Sequence, residues 1–267
     1  MLERLTPGTP AWEWHGAEHM QRYQFFGKYC AGKDVLDAAC GAGFGSHYLA
    51  ATGAASVLGV DIAQEAVDYA TRQYSHPCLR FALGDAQALD RLNAQFDVIV
   101  SFETIEHVPE PAKLVESAYR ALKPGGLFIC STPNVYCHSQ AEQPIENPFH
   151  LSEMSYAEFE TLIGKQFRIL ERYYQNETQT YLRRTRPLLE TTHALTEMLE
   201  RSRLLALERR LRRLLGKSGL PAVPVLDMSL ANPTLEDMVI APVTTPDRWQ
   251  KTYIFVAAKN GKPSTQE

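Results

Sequence analysis

Short apolar segments alternate along the chain with segments whose apolar residues recur at helical spacing. Glycine, proline or polar residues bound the apolar segments, as is typical of strands and their connecting turns. The runs that contain the predicted strands span residues 35–45, 55–62, 79–86, 96–108, 122–134, 167–174 and 253–258. Strands separated by helices form a parallel sheet with helices on both faces. The pattern therefore predicts an α/β fold with a doubly wound sheet of seven strands.

A long insertion separates the last predicted strand from the sixth. A short hairpin is the usual connection there, so residues 176–246 are predicted to be an insertion into a main domain of residues 1–175 and 247–260. Apolar positions over 187–215 predict a helix with an arginine-rich second half. Its charged side is open to three interpretations: a solvated face, a site for an anionic substrate, or a contact for an acidic partner. Its apolar stripe could instead pair two subunits in a homodimer. Prolines over 220–246 predict an irregular cover.

The first predicted strand ends in alternating glycines, Gly41, Gly43 and Gly45. Glycine has no side chain, so such a turn lets the backbone approach a ligand closely. A dinucleotide-binding loop would have a third glycine where this chain has Ser46. Asp37 would also repel a pyrophosphate, whereas it suits the α-ammonium group of a methionine moiety. The run therefore favours S-adenosylmethionine over a nicotinamide dinucleotide.

Acidic residues end the next two predicted strands. Asp61 lies about 20 residues after Gly41, the spacing at which nucleotide-binding folds place a carboxylate on the ribose. Asp61 could instead only cap the helix that follows it. Asp85, after the third strand, could accept a hydrogen bond from the adenine amino group. Ligands of parallel sheets bind beyond the carboxyl ends of the strands, so these acids are expected to share one pocket.

Composition and charge restrict the partners and the compartment. The 267 residues are 45% hydrophobic and carry a net charge of −4, which gives no general attraction to nucleic acid. The five cysteines contain no C-x-x-C pair, as expected for free thiols in a reducing cytoplasm. No segment approaches the roughly 20 apolar residues of a membrane span. We expect a cytoplasmic protein with one large core and neither nucleic acid nor membrane as a partner.

Five motifs in order resemble those of class I S-adenosylmethionine-dependent methyltransferases: DAACGAGFG, GVDIA, GDAQAL, FDVIVSFETIEHV and LKPGGLFICSTPN. The resemblance covers residues 15–175 and the last strand, and it implies a Rossmann-like fold that binds S-adenosylmethionine. The residues assigned to the cofactor are Arg22, Asp37, Gly41, Gly43, Asp61, Ile62, Asp85, Ala86, Ser101 and Glu103. In this family a helix before the first strand covers the methionine end of the cofactor. Arg22 would then pair with the methionine carboxylate.

Three further segments resemble a bacterial subgroup associated with polysaccharide and glycan assembly, namely residues 18–23, SFETIEHV and residues 147–150. This resemblance implies O-methylation of a saccharide, a sugar phosphate or a glycan-linked acceptor. A hydroxyl or amine of a secondary metabolite is the alternative acceptor. The residues assigned to the substrate are His19, Tyr23 and Asn134.

The expected chemistry is an in-line displacement at the sulfonium methyl group, for which orientation supplies much of the rate. A sugar hydroxyl would benefit from a general base, whereas a phosphate or carboxylate would need none. His107 is the preferred base because it follows the fourth strand and titrates near neutral pH, with Glu106 orienting it. His150 is the second candidate. Either histidine could merely satisfy a backbone carbonyl, and the sequence shows no metal-binding cluster.

Two other classes of function share some of these features. An NAD(P)-dependent oxidoreductase would have the same sheet, but it would need the missing glycine and a proton donor such as Tyr-x-x-x-Lys. A noncatalytic binding subunit is the other alternative, because a fold does not imply an activity. The intact cofactor motifs, with their glycines and acids, argue against a site that has lost its ligand.

Overall fold

The computed structural model describes residues 5–135, 149–178, 233–244 and 251–260. The strands of these residues are β1 (Asp34–Ala38), β2 (Ser56–Asp61), β3 (Leu79–Leu83), β4 (Phe96–Ser101), β5 (Leu122–Pro133), β6 (Arg168–Glu177), β7 (Met238–Pro242) and β8 (Thr252–Ala258). They form one mixed sheet in the order β3-β2-β1-β4-β5-β8-β6-β7. The first five strands are parallel, so their carboxyl ends meet at one edge. This edge carries the predicted acids and glycines.

Helices cover both faces of the sheet. Those of the described residues are α1 (Pro10–Phe26), α2 (Phe44–Ala51), α3 (Gln64–Gln73), α4 (Pro111–Ala121) and α5 (Tyr156–Gly164). Successive strand residues point to opposite faces, so Val35 packs in the core layer with Phe26 of α1, while Leu36 packs in the layer with Leu114 of α4. This arrangement confirms the predicted α/β fold. None of the helices in the described part of the chain is long and apolar enough to cross a membrane.

The carboxyl-terminal strands differ in part from the prediction. The segment at 253–258, which the resemblance implies to be an antiparallel last strand, forms β8. It is antiparallel to both of its neighbours and lies between β5 and β6. The sheet has an eighth strand, β7, which pairs antiparallel with β6, so the predicted count of seven is wrong. β7 lies in the proline-rich segment that was predicted to be irregular. Pro242 is tolerated because it ends a strand at the sheet edge, where a missing N–H costs little.

The predicted arginine-rich helix at 187–215 and its homodimer role lie outside the described residues. Ser155 and Glu158 have the spacing that predicts a capping box after His150. The structure confirms it at the start of α5, where the hydroxyl of Ser155 accepts from the amide of Glu158. The carboxylate of Glu158 accepts in return from the amide of Ser155.

Buried polar groups hold helix α1 against β6 and the start of β8. The amide side chain of Gln175, on β6, donates to the carbonyl of Glu18 and to the side chain of Gln21. Its oxygen accepts from Nε of Arg22 at 2.7 Å. Lys251, just before β8, donates to the carboxylates of Glu18 and Glu177. These contacts fix the rotation of α1 and so aim its last turns at the carboxyl edge of the sheet.

Candidate cofactor and acceptor site

The loop after β1 forms the centre of the carboxyl edge. Its backbone enters the left-handed region at Ala39, Gly41 and Gly43, with φ of 61°, 55° and 86°. A side chain added at Gly41 would meet no atom within 4 Å, so this residue faces open space that a ligand can enter. Gly43 and Gly45 instead approach protein atoms, since an added Cβ would lie 2.6 Å from Ala70 and 2.0 Å from the ring of Tyr23. The close approach to a ligand predicted for all three glycines is therefore supported by space only at Gly41.

Asp37 lies beneath this loop and is only 1% exposed. Its carboxylate accepts hydrogen bonds from Ser46 Oγ at 2.6 Å and from the hydroxyl of Tyr23 at 3.1 and 3.2 Å. Burial and the nearby charge of Asp61 raise the pKa of Asp37 to about 7, although the two hydroxyls oppose this shift. Asp37 therefore anchors α1 and α2 under the loop, and its contact with the methionine ammonium stays a prediction.

The buried pair of Tyr23 and Asp37 makes stability depend on pH. Because the folded-state pKa of Asp37 lies above its ordinary value of 3.8, its contribution to stability is full below about pH 4 and is lost as pH rises through 7. Tyr23→Phe removes a donor to the ionised carboxylate, so we expect its cost in unfolding free energy to be about 1 kcal/mol larger near pH 8.5 than near pH 5.5. Urea unfolding at both pH values measures this difference. Tyr69→Phe, on α3, is the control, and an equal cost at both pH values would contradict the coupling.

The residues after β2 and β3 border the opening at Gly41. Asp61, the last residue of β2, accepts from the amides of Gly41 and Ala63, each at 3.0 Å. It does not cap α3, because the N-cap of that helix is Ala63. Ile62 is 66% exposed, which leaves an apolar side chain beside the acid, as an adenine ring would require.

The predicted adenine contacts lie one strand farther along the edge. Asp85 caps a short 3₁₀-helix by accepting from the amide of Gln87 at 2.8 Å. Ala86 is buried, and its carbonyl accepts from Ser117 Oγ of α4. Asp85 is only partly buried, so its carboxylate can meet a ligand while it caps the turn.

Beyond β4 the chain turns through a strained residue next to the predicted methionine-binding arginine. Glu103 has a φ of 49°, which is uncommon for a residue with a side chain and is often found at functional sites. Ser131 Oγ donates to Glu103 Oε1 at 2.7 Å, and Arg22 Nη2 lies 3.7 Å from Oε2. Nη1 of Arg22 is buried and has no hydrogen-bond partner in the part of the chain that the structure describes. Arg22 therefore has a donor left for a carboxylate, and its contact with the methionine carboxylate stays a prediction.

Two other assignments at this edge differ in their surroundings. Ser101, the last residue of β4, has a fully buried hydroxyl without a partner among the described residues. His19 is partly buried one turn before Arg22, and burial together with the charge of Arg22 lowers its pKa to about 3. It is therefore neutral at physiological pH and can accept as well as donate a hydrogen bond.

The structure does not expose two of the predicted substrate residues. Tyr23 is 5% exposed and its hydroxyl is directed at Asp37. Asn134 is fully buried, and its Nδ2 donates to the hydroxyl of Tyr253 on β8 at 3.1 Å. Tyr23 joins α1 to β1, and Asn134 joins the end of β5 to β8, so a substrate could reach either side chain only if these contacts were broken. Of the three predicted substrate residues, His19 alone has exposed surface.

The predicted catalytic residues form one cluster beyond β4. The rings of His107 and His150 lie 4.8 Å apart and nearly perpendicular, and His107 Nε2 lies 3.8 Å from Glu106 Oε1. Nδ1 of His107 is bonded to the carbonyl of Phe149 at 3.0 Å, and Nδ1 of His150 to the carboxylate of Glu153 at 2.7 Å. Both histidines thus contact a local oxygen through Nδ1, and Nε2 of each makes no hydrogen bond within the part of the chain that the structure describes.

Glu106 is the buried member of this cluster. It is 1% exposed, and burial together with the charge of Glu103 raises its pKa well above the ordinary value. Thr132 donates to its Oε2 at 3.4 Å. Sequence reasoning missed Glu153, although its spacing of three residues from His150 was a signal that the two side chains could meet. It also missed Ser131 and Gln175, whose contacts depend on residues far away in the chain.

Comparisons with known proteins find similarity to methyltransferases. Residues 36–130 match the sequence profile of a family described as a methyltransferase domain. A probable S-adenosylmethionine-dependent methyltransferase of Mycolicibacterium smegmatis is 35% identical over 161 residues, which cover 60% of this chain and 62% of that protein. A ubiquinone biosynthesis O-methyltransferase of Idiomarina loihiensis is 40% identical over 111 residues, which cover 39% of this chain and 43% of that protein. The chain thus spans less than two thirds of the length of these curated relatives.

Solved structures show the same architecture. A methyltransferase of Thermotoga maritima, described as a possible histamine N-methyltransferase, superposes with a TM-score of 0.58 over 92% of this chain and 91% of that chain, at 12% identity. Similarity at this low identity bears on the fold alone. Residues 36–130 therefore resemble the methyltransferase domain of relatives that are named S-adenosylmethionine-dependent methyltransferases, and the chain shares the Rossmann-like fold of such enzymes.

Proposed function

We propose that the chain transfers the methyl group of S-adenosylmethionine to a hydroxyl group of its acceptor. The observation that carries this proposal is the pair of histidines beyond β4, each of which keeps Nε2 available while Nδ1 is occupied. A hydroxyl is a weak nucleophile in its protonated form, so its methylation is accelerated most by a nearby group that accepts its proton. The similarity to the O-methyltransferase of Idiomarina loihiensis also supports an oxygen acceptor.

The chain's residues would divide the work between cofactor and acceptor. Asp61 would bind the ribose, Ile62 would pack on the adenine, and Arg22 would bind the methionine carboxylate, which together fix the sulfonium methyl near the end of β4. The acceptor oxygen then attacks the methyl carbon, and the carbon–sulfur bond breaks with its electrons moving to sulfur. The proton of the hydroxyl would pass to Nε2 of His107, whose tautomer is set by the carbonyl of Phe149.

The acceptor class is a finer part of the proposal. A saccharide or glycan-linked hydroxyl is supported by the resemblance of residues 18–23, SFETIEHV and residues 147–150 to glycan-assembly methyltransferases. The exposed side chains of Phe149 and Leu151 next to His150 offer apolar surface on which a sugar face or an aromatic alcohol could pack. A screen of simple sugars, sugar phosphates and phenols separates these acceptors by the mass of the methylated product.

His107→Ala tests the catalytic part of this proposal. We expect kcat to fall by about 10²–10⁴-fold, because a positioned proton acceptor typically contributes that much. The affinity for S-adenosylmethionine should be nearly unchanged, since His107 lies outside the predicted cofactor contacts. Turnover is measured by product mass, and cofactor affinity by calorimetric titration.

The matched control is His76→Ala, which removes a partly buried histidine just before β3, at the opposite edge of the sheet. It should leave both quantities near those of the unchanged chain. An equal loss of cofactor affinity in His107→Ala would overturn the catalytic assignment. Failure to methylate any hydroxyl acceptor while an amine is methylated would overturn the proposed atom class.

A further inference from the structure

The cluster of Glu106, His107 and His150 has the composition of a metal site. One carboxylate oxygen and one ring nitrogen from each histidine lie within 4.8 Å of one another. We propose that these three side chains bind a divalent first-row transition-metal cation. Imidazole nitrogens combined with a carboxylate suit such cations, and three protein ligands leave coordination positions for water or an acceptor. No metal site is expected from the sequence alone, and His150 is distant in sequence from the Glu106-His107 pair.

The first support is a buried oxygen without a partner. Oε1 of Glu106 has no hydrogen-bond partner among the described residues, although the side chain is 1% exposed. Nε2 of His107 lies 3.8 Å from this oxygen, too far for a hydrogen bond. A carboxylate oxygen buried without a partner is costly, and a cation between these two atoms would remove that cost.

The second support is the orientation of the two imidazole rings. Metal-binding histidines usually use their other ring nitrogen to bond a carbonyl or a carboxylate, which fixes the ring and its tautomer. Here His107 uses Nδ1 on the carbonyl of Phe149, and His150 uses Nδ1 on the carboxylate of Glu153, which is 1% exposed. Both arrangements direct Nε2 away from the local partner and leave it for a ligand.

The third support is that the backbone already holds the two ligand segments together. The carbonyl of Glu106 accepts from the amides of Leu151 and Ser152 at 2.8 and 3.1 Å. Ligand atoms about 2.0–2.2 Å from a cation lie at most about 4.4 Å apart, so the side chains need to close only slightly on binding. His107 is 31% exposed and His150 12%, which leaves one side of the cluster open to an acceptor.

The role of the cation rests on the proposed function, whereas its binding does not. A hydroxyl that coordinates a divalent cation has a lowered pKa, so it can lose its proton to solvent water. The resulting oxygen attacks the methyl carbon of S-adenosylmethionine, and the carbon–sulfur bond breaks with both electrons on sulfur. His107 would then act as a ligand that places the acceptor, instead of taking its proton.

The experiment titrates the full chain with Co²⁺ after dialysis against a chelator, with visible absorption as the readout, and repeats the titration with Mn²⁺ by electron paramagnetic resonance. We expect one cation per chain. Glu106→Gln should raise the dissociation constant at least about 100-fold, and Glu153→Gln about tenfold, because partners of metal ligands typically contribute 10–100-fold. His47→Ala is the control, because that histidine stacks on Tyr74 away from the cluster.

Either cation binding unchanged to Glu106→Gln would overturn the proposal, as would no binding to the unchanged chain. His150→Gln, whose side chain is nearer the surface, provides a second variant if Glu106→Gln does not fold. The two proposals fail separately. Stoichiometric Co²⁺ binding without methylation of any hydroxyl would keep the metal site and reject the proposed function. Hydroxyl methylation that persists at full rate in chelator would keep the function, return His107 to the role of base and reject the catalytic role of the cation, whereas the site itself is tested by the titration.

Discussion

Asp61→Ala is expected to abolish measurable binding of S-adenosylmethionine. A carboxylate that accepts from two ribose hydroxyls makes two charge-assisted hydrogen bonds, each worth about 1.5–3 kcal/mol. Their loss corresponds to a rise of at least about 100-fold in the dissociation constant, since about 1.4 kcal/mol is a factor of ten. Calorimetric titration of the purified chain measures this affinity without any knowledge of the acceptor. NADH, titrated in parallel, should not bind.

The side chain of Asp61 has a second task, which the experiment must separate from ligand binding. It accepts from the amides of Gly41 and Ala63, so its removal also loosens the loop that borders the pocket. Asp61→Asn keeps one acceptor oxygen for these amides and loses the charge, so it should retain the fold and still bind the cofactor weakly. Glu65→Ala, an exposed acid in the first turn of α3, is the control. Unchanged affinity in a folded Asp61→Ala chain would show that another residue binds the ribose.

The strands and their terminal acids could be predicted because their signals are local. Each of the strands β1 to β5 is an apolar run of strand length followed by a turn residue, so its own sequence is enough to predict it. Asp61 and Asp85 were found for the same reason, since each directly follows an apolar run, and right-handed crossovers bring the carboxyl ends of parallel strands together. The capping box at Ser155 is likewise a local signal, because it depends on only four consecutive residues.

The features that were missed depend on contacts between distant residues. β7 could not be read from its sequence because Pro242 argues against a strand, and only its place at the sheet edge makes the proline harmless. Tyr23 was assigned to the substrate, but the sequence of α1 does not determine which of its faces is buried against the sheet. In the folded chain the hydroxyl of Tyr23 is directed at Asp37. The metal-binding geometry at Glu106 depends on a segment more than 40 residues away.

Gly45→Ala is expected to destabilise the fold strongly, whereas Gly41→Ala, in the loop before α2, should be tolerated. An added Cβ would lie 2.0 Å from the ring of Tyr23. That ring cannot move away easily, because its hydroxyl is bonded to Asp37 and its faces pack against Phe44 and Phe102. Overpacking of this kind typically costs 1–3 kcal/mol, and we expect about 3 kcal/mol here. The better helix propensity of alanine offsets about 1 kcal/mol, which leaves a loss of about 2 kcal/mol in unfolding free energy.

Gly41→Ala is the matched variant, because it makes the same chemical change where the added Cβ meets open space. Its φ of 55° costs alanine about 1 kcal/mol, so the fold should survive. Its methyl group would enter the space assigned to the cofactor, so affinity for S-adenosylmethionine should fall at least tenfold. Urea unfolding and calorimetric titration of both variants thus separate packing from binding within one glycine run. Stability losses of equal size, with cofactor affinity retained in Gly41→Ala, would show that the opening at Gly41 is not the cofactor site.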